Sequence, residues 1–392
     1  MLSISSLAAK LEYDKVLERV ARFAISDGGK RRILSIAPSA DRAEIISELQ
    51  RVSETKELVL AEGSVPLDGI RDIQIALKKT TVENQALSVQ ELIDVASTLR
   101  ASRSMQGFLG KRRQLYPALA HFPDTLFADK VVEFNISEAL DDRGFVKDSA
   151  SKELRSIRQG IIAAGDALRK KLAAIMHSVS DESWLQEEII TTRDGRLVIP
   201  VKTEFKYRVE GFIHSTSASG ATVYIEPTES LDLNNTLREL QLREQREIFR
   251  ILQDLTKQIV EIREPLERSL FTLYEIDALV AKARSSIELI GVAPTIADHP
   301  ILKLKNARHP ILLQRHQREA VIPLTLELGE EHRTLVITGP NAGGKTVALK
   351  TAGLLALCAQ AGLHIPAESD SEVFPFTNYF VDIGDDQSIE ND

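Results

Sequence analysis

Two heptad series constrain this 392-residue chain more than any other feature of its sequence. Leu154, Ile161, Leu168 and Ile175 recur seven apart, with Ile157 and Ala164 interleaved. Further on, Leu252, Ile259, Leu266, Leu273 and Val280 form a longer series. Ile248, Leu255, Ile262 and Ile276 accompany it, with Ser269 as the weak position. Seven-residue spacing keeps one seam of a helix turned toward a partner, so two long helices packed along each other are expected. The second should begin near Asp232 and break at Glu264-Pro265, because proline lacks an amide proton and crowds the preceding turn. At 1.5 Å per residue, residues 232–264 alone would reach roughly 50 Å.

Between the two series the period falls to 2. Residues 187–192 and 196–202 flank Asp194-Gly195, a pair suited to a tight hairpin, and residues 209–215 and 221–226 flank Ser217-Ala218-Ser219-Gly220. An antiparallel helical arm with a small β tip is predicted. Pro200 inside a strand run places that strand at an edge or a bulge. Before the arm, residues 1 to about 130 repeat helical patterns. Asp27-Gly28-Gly29 reads as a turn after the stripe Leu7, Leu11, Leu17, Val20, and Ser88 with Glu91 forms a capping box.

After Gly291 the pattern changes again. Leu324, Leu326 and Leu328 alternate as a half-exposed strand, and residues 334–338 are a continuous apolar run suited to a covered parallel sheet. That run leads into Gly339-Pro340-Asn341-Ala342-Gly343-Gly344-Lys345-Thr346. An apolar helix over 347–361 follows, with Gly362 as its C-cap. The octapeptide fits G-x-x-x-x-G-K-[ST] and lies between a strand and a helix, where a phosphate cradle is built. Glycines admit backbone amides to the phosphates and the helix start adds partial positive charge. Lys345 would reach the β- and γ-phosphates of ATP, and Thr346 would offer a hydroxyl to Mg²⁺. Hydrolysis also needs a metal-side acid. Residues 378–382 read as an apolar strand ending in Asp382, weighed as that acid against a plain loop acid. Only about 100 residues follow Gly291, short of a complete hydrolysing unit, so the chain reads as the front part of one.

Composition narrows the functional classes. Lys and Arg total 49 against 57 Asp and Glu, a net charge of −8, so any nucleic-acid contact has to use a local patch. One cysteine, Cys358, makes neither an internal disulfide nor a thiolate metal site, and a cytoplasmic protein is expected. The N-terminus reads as a helix and not as a signal peptide, and no apolar window is long enough for a membrane span.

The Pro-Asn after the first glycine of the loop, its double glycine before Lys345, and Arg308-His309-Pro310 upstream resemble the MutS family of ATPases. LEYDKVLERV, RDGRLVIPVK, HSTSASGATVYIEP, LNNTLRELQLREQREI, TGPNAGGKTVALKTAGLLALCAQAGLHIPA and GDDQSIE resemble its MutS type two branch. The resemblance implies a helical core over 1–148 and a first lever helix over 149–186. A β clamp over 187–230, second lever helices over 231–290 and the N-terminal part of a P-loop ATPase domain over 291–392 would follow. The fold class is thus mostly α with a partial α/β domain. The resemblance further implies ATP and Mg²⁺ at Gly339, Pro340, Asn341, Ala342, Gly343, Gly344, Lys345 and Thr346, with Lys345 catalytic, Thr346 on the metal, and a homodimer. The family's serine-containing signature, Walker B acid, switch histidine and Smr nuclease domain have no counterpart in this sequence, which leaves turnover by this chain open.

The implied function is ATP-dependent binding of branched or mismatched DNA in suppression of homologous recombination. Recognition and splitting of stalled ribosomes through rRNA is the alternative, and a nucleotide-binding dimerisation scaffold without turnover is a second. An SMC-like or transporter-type ATPase is disfavoured by the clamp strings and the Pro-Asn. Arg193, Arg196, Lys202, Lys206 and Arg208 interleave with Phe205 and Tyr207. Of these, Arg196, Lys202, Lys206 and Arg208 are candidates for phosphate contact, against a solvated β face on which Lys202, Glu204 and Lys206 alternate. Lys111-Arg112-Arg113 reads as an exposed loop. His299, His309 and His316 share no face for a metal, and His309 should hold a turn beside Pro310. Cys358 and Trp184 read as packing residues.

Overall fold

The computed structural model describes residues 9–82, 84–180, 183–329, 331–340 and 344–383. Its longer helices are α1 (Tyr13–Ala21), α2 (Asp27–Leu34), α3 (Arg42–Glu62), α4 (Val89–Gly110), α5 (Lys130–Ala139), α6 (Lys152–Ser180), α7 (Leu231–Leu289) and α8 (Lys345–Gln360). Strands β1 (Thr191–Arg193), β2 (Arg196–Lys202), β3 (Gly211–Thr216) and β4 (Thr222–Pro227) form one sheet in the order β1-β2-β4-β3. A second sheet has the order β5-β8-β6-β7, from β5 (Thr295–Ile296), β6 (Leu302–Ala307), β7 (Leu324–Leu328) and β8 (Glu372–Val373). The chain divides into two compact units. One comprises Met1–Leu77, Asp94–Lys130 and Ile262–Asp392, the other Lys78–Ile93 and Val131–Glu261. No described helix is long and apolar enough to cross a membrane.

The first unit is organised around α8, whose Leu354, Leu355, Ala356, Leu357, Cys358 and Ala359 are all buried. They pack with Val16, Leu17 and Val20 of α1 and with Leu304, Leu326 and Val373 of the second sheet. A helix apolar all round has to sit inside the core, and this one does. It ends where expected: Gly362 takes φ +67°, its amide bonds Ala359 O at 3.0 Å, and the Leu363 amide bonds Cys358 O at 2.9 Å. That paired arrangement uses two carbonyls a helix end otherwise leaves unmatched. The α4 start also follows the sequence, with Ser88 N–H on Glu91 Oε2 at 2.9 Å and Glu91 N–H on Ser88 Oγ at 3.3 Å.

Asp27-Gly28-Gly29 is not a turn; it opens α2, capped by Ser26 Oγ, which accepts the Gly29 amide. The glycines serve close approach. A Cβ on Gly28 would lie 2.4 Å from the Tyr274 ring, and one on Gly29 would lie 2.3 Å from Asp277 Oδ2. Asp277, fully buried on α7, accepts the amides of Ile25 and Ser26 and the Ser26 hydroxyl. Nor does Pro265 interrupt α7, which runs unbroken through it for 59 residues. Proline removes only the bond to the Glu261 carbonyl, and Glu261 is exposed, so water can replace the missing donor. Leu266 and Ile259 on either side are fully buried. The division between the two units falls beside that carbonyl, at Glu261 and Ile262.

Residues 334–338, expected as a covered strand, are not paired with any described strand, and Val336 is 77% exposed. A strand of this kind is held by neighbours on both sides and layers on both faces. Here β7 pairs with β6 alone, and residues 378–382, the other expected strand, are irregular. Asp382 is exposed in that irregular segment.

In the second unit, α6 and the first part of α7 lie side by side. Ser151 bonds Glu247, Arg158 bonds Glu244, and Lys171 bonds Glu229, a descending order that makes the pair antiparallel. Leu168, Leu172 and Met176 of α6 then pack with Ile199 and Val201 of β2 and Val223 and Ile225 of β4. The β1–β2 hairpin turns at Asp194 and Gly195, both left-handed at φ 50° and 77°. Pro200 is central, not at an edge: it pairs with Tyr224 of β4 while β1 flanks β2 on the other side. Its carbonyl accepts the Gln186 amide at 3.1 Å. In a strand a residue's N–H and C=O point to the same side, so the missing donor faces away from β4 and costs that ladder nothing.

Candidate functional site

In the first unit, the loop before α8 turns on Gly344, whose φ of 75° opens the helix without a side-chain cap. Left-handed backbone at this point is cheap only for glycine. The first helical bond runs from the Ala348 amide to Gly344 O, so the amides of residues 345–347 precede the ladder. No acid occupies the first turn of α8. Lys345 is half-buried and folds back over its own loop, donating to the carbonyls of Gly339 at 2.5 Å and Pro340 at 2.6 Å. A helix start free of acids, with an ammonium group poised over it, suits a phosphate. These residues therefore fit a nucleotide, and the Thr346 hydroxyl, one residue on, suits a hard cation such as Mg²⁺. Asn341, Ala342 and Gly343 lie outside the described residues, as does GDDQSIE.

Beneath α8 the structure gathers side chains that the sequence reading did not connect. Glu12, buried and left-handed at φ 61°, faces Lys15 at 3.4 Å and buried Lys350 of α8 at 3.6 Å. His309 is buried in the same surroundings, where its Nδ1 accepts the Ile311 amide and closes the turn at Pro310. Burial, only partly offset by Glu12 and reinforced by Lys350, pushes the His309 imidazole down to about 4. His364 is likewise pushed to about 4 by burial, with Lys56 adding to it, and its ring joins the hydroxyls of Ser286 and Ser53 at 2.8 and 3.0 Å. His299 instead pairs with its neighbour Asp298 at the surface, and among the described residues no His, Cys, Asp and Glu group could hold a metal. Cys358 is buried, which raises its thiol to about 12. Arg112 and Arg113 pair with Glu62 and Asp124.

In the second unit the expected cations of the β tip separate. Arg196 is a strut, with its guanidinium on Glu226 Oε1 at 2.6 Å and on Asn235 Oδ1 at 2.7 Å. Buried Glu226 also bonds His214 Nε2 at 2.7 Å, and Asn234 bonds both backbone groups of Leu197. No spacing in the sequence signals this hub, because its members come from β2, β3, β4 and the start of α7. Lys202 ends β2 and donates to Ser183 O at 3.0 Å. A 3₁₀ turn over Thr203–Phe205 follows, so Lys202, Glu204 and Lys206 do not alternate on one strand face. Phe205 stacks on Trp184, with centroids 6.2 Å apart, while Lys206 sits over the Tyr207 ring and Arg208 is exposed.

Comparison with known proteins places this architecture. No family model matches the chain. A protein named Endonuclease MutS2 from Geobacillus sp. (strain WCH70) is 42% identical over 383 residues, covering 97% of this chain and 48% of the relative. Proteins of the same name from Geobacillus thermodenitrificans and Clostridioides difficile are 42% and 39% identical, with the same 97% and 48% coverage. The chain thus spans about half the length of the curated relatives it matches. Aligned with these relatives from α1 through the lysine loop, it belongs to the MutS2 family.

Proposed function

We propose that the chain binds ATP with Mg²⁺ at residues 339–346 and grips nucleic acid with its arm and β tip, the substrate being branched or mismatched DNA. The observation that carries the reading is the Gly344 turn, which starts α8 with no acid in its first turn and brings Lys345 Nζ back over the loop. A phosphate would draw the ammonium off two neutral carbonyls, an exchange favoured by charge. In this reading nucleotide binding is coupled to a role in suppressing homologous recombination, and pairing of two copies completes the site. Its second form is a nucleotide-binding scaffold without turnover. Recognition of stalled ribosomes is the competing substrate reading.

The test is titration of fluorescent ATP with Mg²⁺ into the chain and its Lys345→Ala variant, with anisotropy of a four-way junction and of linear duplex in parallel. Nucleotide binding lost in Lys345→Ala, with the junction preferred over duplex, is expected. Equal nucleotide binding by both proteins would remove the ATP site, and stalled-ribosome association without junction preference would move the substrate to rRNA.

A further inference from the structure

The β tip contains five aromatic residues, Trp184, Phe205, Tyr207, Phe212 and Tyr224, and the fold consumes three of them. Trp184 and Phe205 stack against the tip's core, and Tyr224 lies under the Arg193 guanidinium, 4.1 Å from its centroid. Tyr207 and Phe212 are left in solvent, 87% and 60% exposed. Tyr207 is also held in place. The Lys206 amide bonds Thr203 O at 3.4 Å, the Arg208 amide bonds Phe205 O at 2.8 Å, and Val209 beyond is buried. The tripeptide Lys206-Tyr207-Arg208 is thereby presented outward between two packed anchors, with Lys206 Nζ 4.9 Å from the Tyr207 centroid. Phe212 follows on β3, an edge strand that carries no Lys, Arg, Asp or Glu.

We propose that Tyr207 and Phe212 each offer a stacking face for an unpaired nucleobase, a platform in which Lys206 and Arg208 take the phosphates beside Tyr207. This rests on the nucleic-acid reading above and narrows its substrate to strands with unstacked bases. The choice follows from charge. Residues 202–217 hold three cations against two carboxylates, in a chain of net charge −8, too few to hold duplex by phosphate neutralisation. Aromatic faces supply what the charges do not, because an unpaired base offers a π-face that a duplex keeps covered. The cations beside Tyr207 match the phosphates that accompany such a base.

The experiment is fluorescence anisotropy of the whole chain with labelled oligothymidylate, oligouridylate, duplex DNA and a four-way junction. Tyr207→Ala and Phe212→Ala should each weaken single-strand binding roughly 5- to 100-fold, as loss of one stacked base does, and leave duplex binding unchanged. Tyr207→Phe should bind like the parent. With two phosphate contacts, the slope of log affinity against log salt should be about −1.4. Tighter oligothymidylate identifies DNA as the source of the bases, and tighter oligouridylate identifies RNA. Both alanine variants binding single strands like the parent, or Tyr207→Phe losing as much as Tyr207→Ala, would overturn the platform. If the parent binds the junction but not single strands, the platform fails and the nucleic-acid reading survives; if it binds no probe, both fail. Unchanged melting temperatures exclude misfolding as the cause, since both side chains are exposed.

Discussion

Lys282 Nζ on α7 lies 2.7 Å from Glu48 Oε1 on α3, and the lysine side chain is only 5% exposed. Burial pushes the lysine down, and Glu48 opposes it. Burial would likewise raise the Glu48 carboxyl, but Lys282 and Arg51 outweigh it and hold the group below the usual carboxylate range. Beside this pair, Arg51 continues to Glu275 at 2.9 Å, and the Lys282 ammonium reaches the Ala361 carbonyl at the end of α8. The two partners are therefore unequal. Glu48→Ala strips Lys282 of its carboxylate and should cost about 3–5 kcal/mol, whereas Lys282→Met leaves Glu48 with Arg51 and should cost clearly less. In Glu48→Ala the folded state binds a proton on Lys282 less readily than the unfolded state, so stability should rise with pH toward the unfolded lysine value. Urea unfolding at pH 7 and 9.5 reads both effects; equal costs for the two variants would refute the asymmetry.

Acid sensitivity should come from two imidazoles. His309 and His364 are held neutral down to about 4, against an unfolded value near 6.5. Between those values the unfolded chain binds more protons than the folded one, so stability falls as pH drops from 6.5 toward 4 and is unaffected above 6.5. Each histidine contributes up to about 3 kcal/mol over that window. Denaturation midpoints taken from pH 7.5 to 5 should decline for the parent and decline less for His364→Asn.

Glycines on this chain predict opposite outcomes for one substitution. Gly28→Ala would drive a methyl group into the Tyr274 ring, on a backbone pinned by the Asp277 carboxylate, and should destabilise by about 1–3 kcal/mol. Gly107, inside α4 with open space where a Cβ would go, should gain up to about 1 kcal/mol as Gly107→Ala. Thermal melting of the two variants decides it, and matching shifts would contradict the packing account.

Pro265 is a cost that α7 absorbs. Pro265→Ala restores the bond to the Glu261 carbonyl and should raise stability by up to about 3 kcal/mol. Hydrogen exchange around Glu261 should slow at the same time. No change in exchange would mean that the helix already compensates for the missing donor.

Legibility in the sequence tracked the range of the interaction. The Ser88 and Glu91 box, the Asp194-Gly195 hairpin and the Gly362 cap involve partners within a few residues, and each was readable from local spacing. The glycine-rich turn before a helix was readable for the same reason, although α8 starts at Lys345, two residues before the expected 347. Arg196 was not. Its basic side chain suggested a phosphate contact, yet its partners Glu226 and Asn235 lie 30 and 39 residues away.

What the sequence alone determined, then, is the periodicity: where helices run, where strands turn, and where a glycine-rich loop opens a helix. Those follow from backbone sterics and short-range hydrogen bonds, which each residue carries with it. Tertiary structure decided what the same residues are for. It turned Gly28 and Gly29 from a chain reversal into a seat for Tyr274 and Asp277, placed Pro200 within a sheet, and carried α7 through Pro265. For the glycines and Pro200 the deciding energy is a contact between residues distant along the chain, and no local pattern encodes the arrival of a distant partner.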